Sequence, residues 1–282
     1  TQSDNKLLQA VQEMAFANNL KEFEVGLPKI HAPGLNIMYG DAEGNVAWWA
    51  SAKLYKMPDG VNTKFILDGS SGKQESIGFL EFSENPQAIN PPWNYVYSAN
   101  NQPDSIAGML YPGYYLPENR AKRIVHLLEP KNDWDREDVQ NMITDATSTV
   151  NPAIVANLAK SLNISQMSQL QLKELDKLSA WKGDYPLNSI EATIFHRWIY
   201  FFLKNTFEDE LGNELFKQML ATHFSKRLIA PMAAKSTSVW WDDVNTKETV
   251  ETKDHIAQTS YNQAIASLIK DFGQDPEKWT WN

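Results

Sequence analysis

Apolar residues recur at helical spacing at the start of the chain and change to short runs soon afterwards. From residue 1 to about 27 the apolar positions follow a period of about 3.6 residues, which predicts a helix. These positions are Leu7, Leu8, Val11, Met14 and Ala15. From about 35 to 100, short apolar runs alternate with Gly, Pro and Asn, as strands and turns do. The runs 36–39 and 46–49 flank a polar segment and predict a β-hairpin. The runs 64–67 and 95–99 predict further strands.

From about residue 117 onward the pattern is almost entirely helical. Asp135 with Asp138, and Asn188 with Glu191, have the spacing of helix-capping pairs placed ahead of apolar stripes. Gly273 follows the last apolar stripe and predicts the end of the last helix. Each of these signals is local, so together they predict several separate helices in this part of the chain.

The order of the two patterns predicts an α+β fold. A β-rich first third, residues 1–116, is followed by a mainly helical region, residues 117–282. This order gives little support to an alternating βαβ sheet. At 282 residues the chain is long enough to bury a substantial core.

Composition excludes several classes of partner. The chain has 26 basic and 35 acidic residues, a net charge of -9, and it has no run of basic residues that could form the face that nucleic-acid phosphates require. It has no cysteine, which excludes disulfides, thiolate zinc sites and cysteine nucleophiles. No stretch approaches the roughly 18 apolar residues of a membrane span. We therefore expect neither a nucleic acid nor a membrane as partner.

Common catalytic and metal-binding motifs are missing from the sequence. The histidines form no HxH or HxxxH pair, and neither GxSxG nor GxxxxGKS occurs. The five histidines are His31, His126, His196, His223 and His255. The pair Asp242-Asp243 has ligand chemistry, but two acidic residues in a loop are usually solvated. We predict no metal site.

The segment from Ser98 to Pro103 is the strongest candidate for chemistry. It follows the apolar run 95–97 and precedes a loop rich in Pro, Gly and Tyr. An asparagine amide held rigidly at such a position can donate a hydrogen bond to a developing oxyanion. The residues alone, however, favour a simple Asn-Asn-Pro turn. The nearby aromatic residues Trp93, Tyr95 and Tyr97 either line a pocket or pack in a core.

Several further motifs occur in an order that resembles the penicillin acylase family of N-terminal-nucleophile hydrolases. The resemblance covers essentially the whole chain. The matching elements are the hairpin Asn36-x-x-Tyr39-x-Asp41-x-x-Gly44-Asn45-Val46, Pro58-Asp59-Gly60, Ala99-Asn100-Asn101-Gln102-Pro103, Tyr111-Pro112-Gly113-Tyr114, Asn119-Arg120-Ala121-Lys122-Arg123-Ile124, Trp181-Lys182-Gly183-Asp184 and Trp279-Thr280-Trp281.

This resemblance implies an αββα sandwich, of which the β-rich first third would be a part. It implies an amide hydrolase that acts on a small acylated amine, of the penicillin or acyl-homoserine-lactone type. An N-terminal serine attacks the amide carbonyl, and its own α-amino group accepts the hydroxyl proton. Asn100 matches the oxyanion-hole asparagine, and Arg123 matches an arginine that supports it. Family members are typically periplasmic or secreted.

The chain departs from the family pattern at the nucleophile. The family's serine opens a β-strand segment well upstream of the hairpin, whereas this chain opens with a helix in which Thr1 has the wrong setting. We expect residues 1–282 to be a single internal fragment of the large chain, inactive alone, whose partners are the small chain and the N-terminal part of the large chain. The family's calcium ligand position falls near Leu110 or Tyr111, and neither is acidic. We expect no cofactor in this fragment, with calcium possible in the full-length protein.

An alternative function follows if the resemblance is set aside. The chain would then be a non-catalytic, mainly helical module that binds a ligand or a protein in an aromatic-rich groove.

Overall fold

The computed structural model describes residues 4–103 and 115–280, and its chain forms two compact units. The first unit is Thr1–Trp134 and the second is Asp135–Asn282. The change to helical pattern at about residue 117 therefore precedes the boundary between the units, because helix Asn119–Leu128 belongs to the first. Among the described residues, no helix is long and apolar enough to cross a membrane.

The first unit begins with two helices, α1 (Leu7–Phe16) and α2 (Leu20–Glu24), followed by a 3₁₀ turn at Leu27–Lys29. For the described part of residues 1–27, the helical prediction is confirmed in type, but the helix is interrupted at 17–19. Asn19 explains the interruption, because its side-chain oxygen accepts a hydrogen bond of 2.9 Å from the Glu22 backbone and caps a new helix.

A three-stranded antiparallel sheet contains β1 (Leu35–Gly40), β2 (Val46–Ser51) and β5 (Gln87–Ile89), in the order β1-β2-β5. The short strands β3 (Tyr55–Lys56) and β4 (Gly78–Phe79) pair separately. The predicted hairpin is confirmed.

The turn of this hairpin is stabilised by Asp41. One carboxylate oxygen accepts hydrogen bonds from the backbones of Glu43 and Asn45, at 3.0 and 2.9 Å. Gly44 has a φ of 89°, which glycine adopts without strain.

The alternation of side chains along β2 gives the sheet two different faces. Ala47, Trp49 and Ser51 are buried on one face, and Trp49 packs with Leu27 in a core that includes residues of α1 and α2. Trp48 lies on the opposite face, where its cross-strand neighbour on β5 is Ala88. That second face is available to form a cavity.

The strands predicted at 64–67 and 95–99 are absent, so these two predictions were wrong. In the run 64–67, the side chains of Phe65 and Ile66 are 73% and 101% exposed. No neighbouring strand pairs with this run or covers it, so nothing holds it extended in a sheet. The run 95–99 lies between Asn94 and Asn100, whose φ angles of 64° and 57° turn the backbone away from a strand. Helix α3 (Asn119–Leu128) completes the described part of this unit.

The second unit is mainly helical in its described residues, with one isolated β-bridge between Thr147 and Asp184. Its helices are α4 (Arg136–Thr144), α5 (Asn151–Ala159), α6 (Gln169–Ala180), α7 (Ile190–Leu220, interrupted at Gly212), α8 (His223–Ala234) and α9 (Lys253–Phe272). Helices α7 and α9 form the centre of the core. Trp198 of α7 packs edge-on against Tyr261 of α9 with ring centroids 4.9 Å apart, and both are fully buried.

The predicted helix ends in this unit are largely confirmed. Asp135 and Asp138 form the expected reciprocal capping box of α4, and Gly273 ends α9 with a φ of 90°. The cap of α7 was predicted one residue too early. Ser189, and not Asn188, accepts the hydrogen bond from the backbone of Ala192, at 3.1 Å.

Candidate active site

Asn100 lies in a backbone conformation that few residues other than glycine adopt. Its φ of 57° falls in the left-handed region, which asparagine tolerates better than most L-residues. The Asn100 N–H donates to the Ser98 hydroxyl at 3.2 Å, and the Asn100 carbonyl accepts from the Leu116 N–H at 2.7 Å. Both polar groups of the Asn100 backbone are therefore engaged, and they fix the direction in which the side chain leaves the loop.

Both backbone groups of Ala99, the residue before Asn100, are hydrogen-bonded. The side-chain oxygen of Asn101 accepts from the Ala99 N–H at 3.2 Å, and Nη2 of Arg120 donates to the Ala99 carbonyl at 2.8 Å. Ala99 itself is buried. A buried residue with both backbone groups bonded gives Asn100 a rigid base.

The side chain of Asn100 is exposed, and within residues 4–103 and 115–280 no hydrogen bond of its amide is described. Its neighbour differs, because the Asn101 amide is used inside the loop, where it also donates to the Gln102 carbonyl at 3.4 Å. Of the two adjacent asparagines, Asn100 is therefore the one whose side-chain amide can donate to a bound group.

Helix α3 supplies an arginine that contacts this loop, because Arg120 donates to the Ala99 carbonyl. Arg123, one helical turn later, is the arginine that the resemblance assigns to support Asn100. It is half-buried on this helix, and that role stays a prediction. The two arginines are three residues apart and share a helical face, so spacing alone does not distinguish them.

A cavity of about 380 Å³ lies beside the loop. Its walls include Trp48 and Ala88 from the outer sheet face, and Val125 from α3. Trp93, Tyr95 and Tyr97 also line it, so they form a pocket and not a core. Ser98 and Asn101, on either side of Ala99 and Asn100, form its polar end. Asn100 is not itself a lining residue, but its sequence neighbours Ser98 and Asn101 are.

Two aromatic residues of the cavity have distinct environments. The indole nitrogen of Trp48 donates to the Asn36 side chain at 2.9 Å, which fixes the plane of that ring. Burial, with a smaller effect from the Glu129 carboxylate, raises the pKa of the Tyr95 hydroxyl above its usual value of 10. The Tyr95 hydroxyl is therefore neutral at physiological pH.

The remaining sequence candidates do not form a second site. Within the described ranges, no three His, Cys, Asp or Glu side chains come together in a way that could hold a metal ion. Asp243 instead stabilises a turn, accepting from the Asn245 backbone and side chain at 2.9 and 3.0 Å. His196 contacts the Tyr185 hydroxyl at 3.1 Å, and burial, together with Lys226, lowers its pKa.

Some sequence predictions fall on residues outside the described ranges. These are Thr1, the calcium-ligand positions Leu110 and Tyr111, the motif Tyr111-Pro112-Gly113-Tyr114 and Trp281.

Comparison with known proteins agrees with this fold. The model of the penicillin amidase family matches residues 1–282. An acyl-homoserine lactone acylase QuiP of Pseudomonas syringae pv. syringae is 25% identical over 99% of this chain and 35% of its own length. A penicillin acylase 2 proenzyme of Pseudomonas sp. strain SE83 is 24% identical over 73% of this chain and 26% of its own length.

A solved structure has the same fold. The thermostable penicillin G acylase of Alcaligenes faecalis superposes with a TM-score of 0.73 and 20% identity, over 98% of this chain and 53% of that chain. The chain therefore belongs to the penicillin amidase family, and its α+β fold is that of an acylase. It spans about a third of the length of the curated relatives that it matches.

Proposed function

We propose that the protein containing this region hydrolyses the amide bond of a small acylated amine, and that Asn100 donates a hydrogen bond to the carbonyl oxygen as negative charge develops there. The observation that carries this proposal is the rigid loop with its exposed asparagine amide. A donor fixed before the reaction stabilises the transition state without reorganising, which is why such donors contribute strongly to catalysis. Membership of an amidase family supports the same reaction class.

The nucleophile in this proposal is an N-terminal serine from a segment of the precursor outside these 282 residues. The serine oxygen bonds to the carbonyl carbon while the C–N bond breaks. The hydroxyl proton passes through the serine α-amino group to the leaving amine. Water then cleaves the ester and releases the acid. The curated relatives are about three times as long as the match, so they have room for such a segment and for a small chain.

Arg120 has a positioning role in this scheme. Its guanidinium donates to the Ala99 carbonyl, directly before Asn100. A charged donor on that carbonyl fixes the loop more strongly than a neutral one would. The direction of the Asn100 amide therefore depends on α3.

The test uses the full-length protein after maturation of its precursor, and the variant Asn100→Gly prepared in the same way. Glycine accepts a positive φ, so the loop keeps its conformation while the amide is lost. We expect kcat for an acyl anilide and for an acyl-homoserine lactone to fall by about 10²- to 10³-fold, the usual effect of removing one oxyanion donor.

Asn90→Gly is the matched control, because Asn90 also is exposed and has a positive φ of 46°, and its side chain bonds to Val46 and Asn45 near the hairpin turn. It should leave kcat within about twofold of the parent value, as surface changes away from a site do. An Asn100→Gly enzyme with unchanged kcat would contradict the proposed role. Activity of the purified 282-residue chain that depends on Asn100 would place the nucleophile inside this region.

A further inference from the structure

A chain of hydrogen bonds joins three elements of the second unit at Tyr185. Tyr185 lies in the loop that connects α6 with α7, residues 181–189. Its hydroxyl oxygen accepts a hydrogen bond from the Asn151 amide at 2.5 Å, and Nε2 of His196 lies 3.1 Å from the same oxygen. Asn151 begins α5 and is 8% exposed, and His196 lies on α7. The Tyr185 hydroxyl therefore connects the loop with the start of α5 and with α7.

The direction of these hydrogen bonds selects the neutral form of His196. Burial raises the pKa of Tyr185 to about 12, so its hydroxyl keeps its single proton at physiological pH. Because the Asn151 amide already donates to the hydroxyl oxygen, the hydroxyl proton is donated to Nε2 of His196. Nε2 accepts this hydrogen bond only when the imidazole is neutral and carries its own proton on Nδ1.

Protonation of His196 removes the acceptor from this chain. An imidazolium has an N–H group at both ring nitrogens, so Nε2 then faces the Tyr185 oxygen as a second donor. The Tyr185 O–H is left without its acceptor, which is unfavourable for a half-buried polar group. Tyr185 and His196 therefore cannot keep their present contact after protonation, and the side chain in the loop is the one expected to move.

The surroundings of His196 favour the neutral imidazole. Its ring packs against the Tyr185 ring, with centroids 5.6 Å apart. Burial, and then the positive charge of Lys226 on α8, lowers the pKa of His196 below its usual value of 6.5. Part of the His196 side chain is exposed and exchanges protons with solvent, and the charged loop residues Lys182 and Asp184 are exposed as well. The neutral arrangement is therefore complete above about pH 6.5 and is lost as the pH falls through the lowered pKa.

The loop has two further attachments to the turn before α5, and neither depends on a titrating side chain. The Ser148 N–H donates to the Gly183 carbonyl at 2.8 Å, and Thr147 forms a β-bridge with Asp184. Loss of the Tyr185 contact should therefore loosen the loop and the turn locally. The core between α7 and α9 is packed by other residues and should stay intact.

We propose that His196, Tyr185 and Asn151 form an acid-sensitive switch, which holds the loop 181–189 to α5 and α7 while His196 is neutral and releases the loop when His196 is protonated. The switch is independent of the amide hydrolysis proposed above, because it concerns the opening of one loop in the second unit.

Hydrogen–deuterium exchange of the mature full-length protein, followed by mass spectrometry at pH 7.5 and pH 5, tests the switch. Protection factors, which correct for the intrinsic effect of pH on exchange, are compared for peptides that cover residues 147–151 and 181–189. We expect both to fall about tenfold at pH 5, the effect of losing one hydrogen bond. Peptides from the centres of α7 and α9, which contain Trp198 and Tyr261, should keep their protection.

Two substitutions should change the pH dependence in different ways. Tyr185→Phe retains the ring and removes the hydroxyl, so exchange of the loop should no longer respond to pH. Asn151→Asp replaces the amide donor by a carboxylate, which accepts from the Tyr185 O–H and frees the Tyr185 oxygen to accept from protonated His196. Protection in this variant should be retained or increased at pH 5. A purely structural role of these side chains would weaken the loop equally at both pH values.

Two histidine variants complete the test. His196→Gln has no titrating group, so it should abolish the pH dependence whatever its level of protection. His255→Gln replaces an exposed histidine of α9 and should keep the pH dependence of the parent. Equal protection of the parent loop at both pH values would overturn the proposal, as would a parent-like response of Tyr185→Phe, Asn151→Asp or His196→Gln. Loss of protection in the core peptides together with the loop would also overturn it, because the protein would then unfold globally in acid.

Discussion

Gly183 lies where a β-carbon would collide with the backbone of another segment. It has a φ of 85°, and an added Cβ would lie 2.0 Å from the Ser148 carbonyl oxygen and 3.1 Å from Pro152. The Gly183 carbonyl also accepts from the Ser148 N–H at 2.8 Å, so the two segments cannot separate without losing that bond.

We predict that Gly183→Ala lowers the free energy of unfolding of the second unit by about 2–5 kcal/mol. Left-handed strain contributes about 1–2 kcal/mol and steric overlap about 1–3 kcal/mol. Urea unfolding followed by circular dichroism measures the change. Gly273→Ala is the control, because its φ of 90° is similar but no atom lies within 4 Å of the added Cβ. A loss no larger than that of the control would show that the Ser148 contact does not limit this position.

The adjacent residues Asn100 and Asn101 show how far the sequence alone determines a site. The Asn-Asn-Pro pattern predicts a turn, and the family resemblance selects Asn100, but the two amides are chemically identical in the sequence. Their roles differ because Ala99 donates to the Asn101 side chain while Asn100 takes the positive φ. That distinction depends on the folded loop, and Leu116 and Arg120 help to hold it from distant positions.

At the scale of elements, the position of helix α3 affects the direction of the Asn100 side-chain amide, because Arg120 of this helix binds the Ala99 carbonyl. We predict that Arg120→Gln lowers kcat of the mature full-length protein by about 10- to 100-fold with little change in KM, which corresponds to the loss of one hydrogen bond from a charged donor. The effect should appear in kcat because the oxyanion bond strengthens in the transition state.

Lys122→Gln provides the comparison on the same helix, since Lys122 is exposed and pairs with Glu118 at 2.8 Å. It should leave kcat unchanged, because exposed ion pairs contribute little. Arg120→Lys should recover part of the activity, as it retains a cationic donor. If Arg120→Gln only lowered the melting temperature and left kcat of the folded enzyme intact, Arg120 would be structural alone.

Elements set by local chemistry could be predicted from the sequence, and those set by distant pairing could not. The hairpin pairs residues no further apart in sequence than Leu35 and Ser51, the cap at Asp135 depends on Asp138 three residues later, and both are confirmed. The strands expected at 64–67 and 95–99 required a partner strand, which a local pattern does not reveal. β5 was missed for the same reason, because its three residues are a strand only through pairing with β2.

At the scale of the whole molecule, the order of β-rich and helical regions was predictable, but the extent of each compact unit was not. Helix α3 has the helical pattern of the second region, yet it belongs to the first unit. Its Val125 lines the cavity and its Arg120 binds the loop, so tertiary contacts assign it there. The family resemblance covered the whole chain because the order of the motifs is retained even where individual residues differ.

The chain carries a net charge of -9. The ionisation of one of its acidic side chains, Glu210, affects the free energy of unfolding near neutral pH. Partial burial, then a hydrogen bond with Asp209, raises the pKa of the Glu210 carboxyl from 4.5 to about 7. When the pKa of a carboxyl group is higher in the folded state than in the unfolded state, the group stabilises the folded state fully at pH values below the unfolded-state pKa. This stabilisation is lost as the pH rises through the folded-state pKa. The stability that Glu210 contributes is therefore present below pH 4.5 and lost by about pH 7.

We predict that Glu210→Gln, which stays neutral at every pH, becomes progressively more stable than the parent chain between pH 5 and pH 8. Urea midpoints measured across that range should coincide at the acidic end and separate at the alkaline end, because only the parent acquires a charge beside Asp209 and Asp243. Glu214→Gln is the control on the same helix, where the side chain is 80% exposed and pairs with Lys217. Its midpoint should show no such separation from the parent. If the urea midpoints of Glu210→Gln and of the parent differ by the same amount at every pH, the Glu210 carboxyl ionises as an ordinary surface carboxylate.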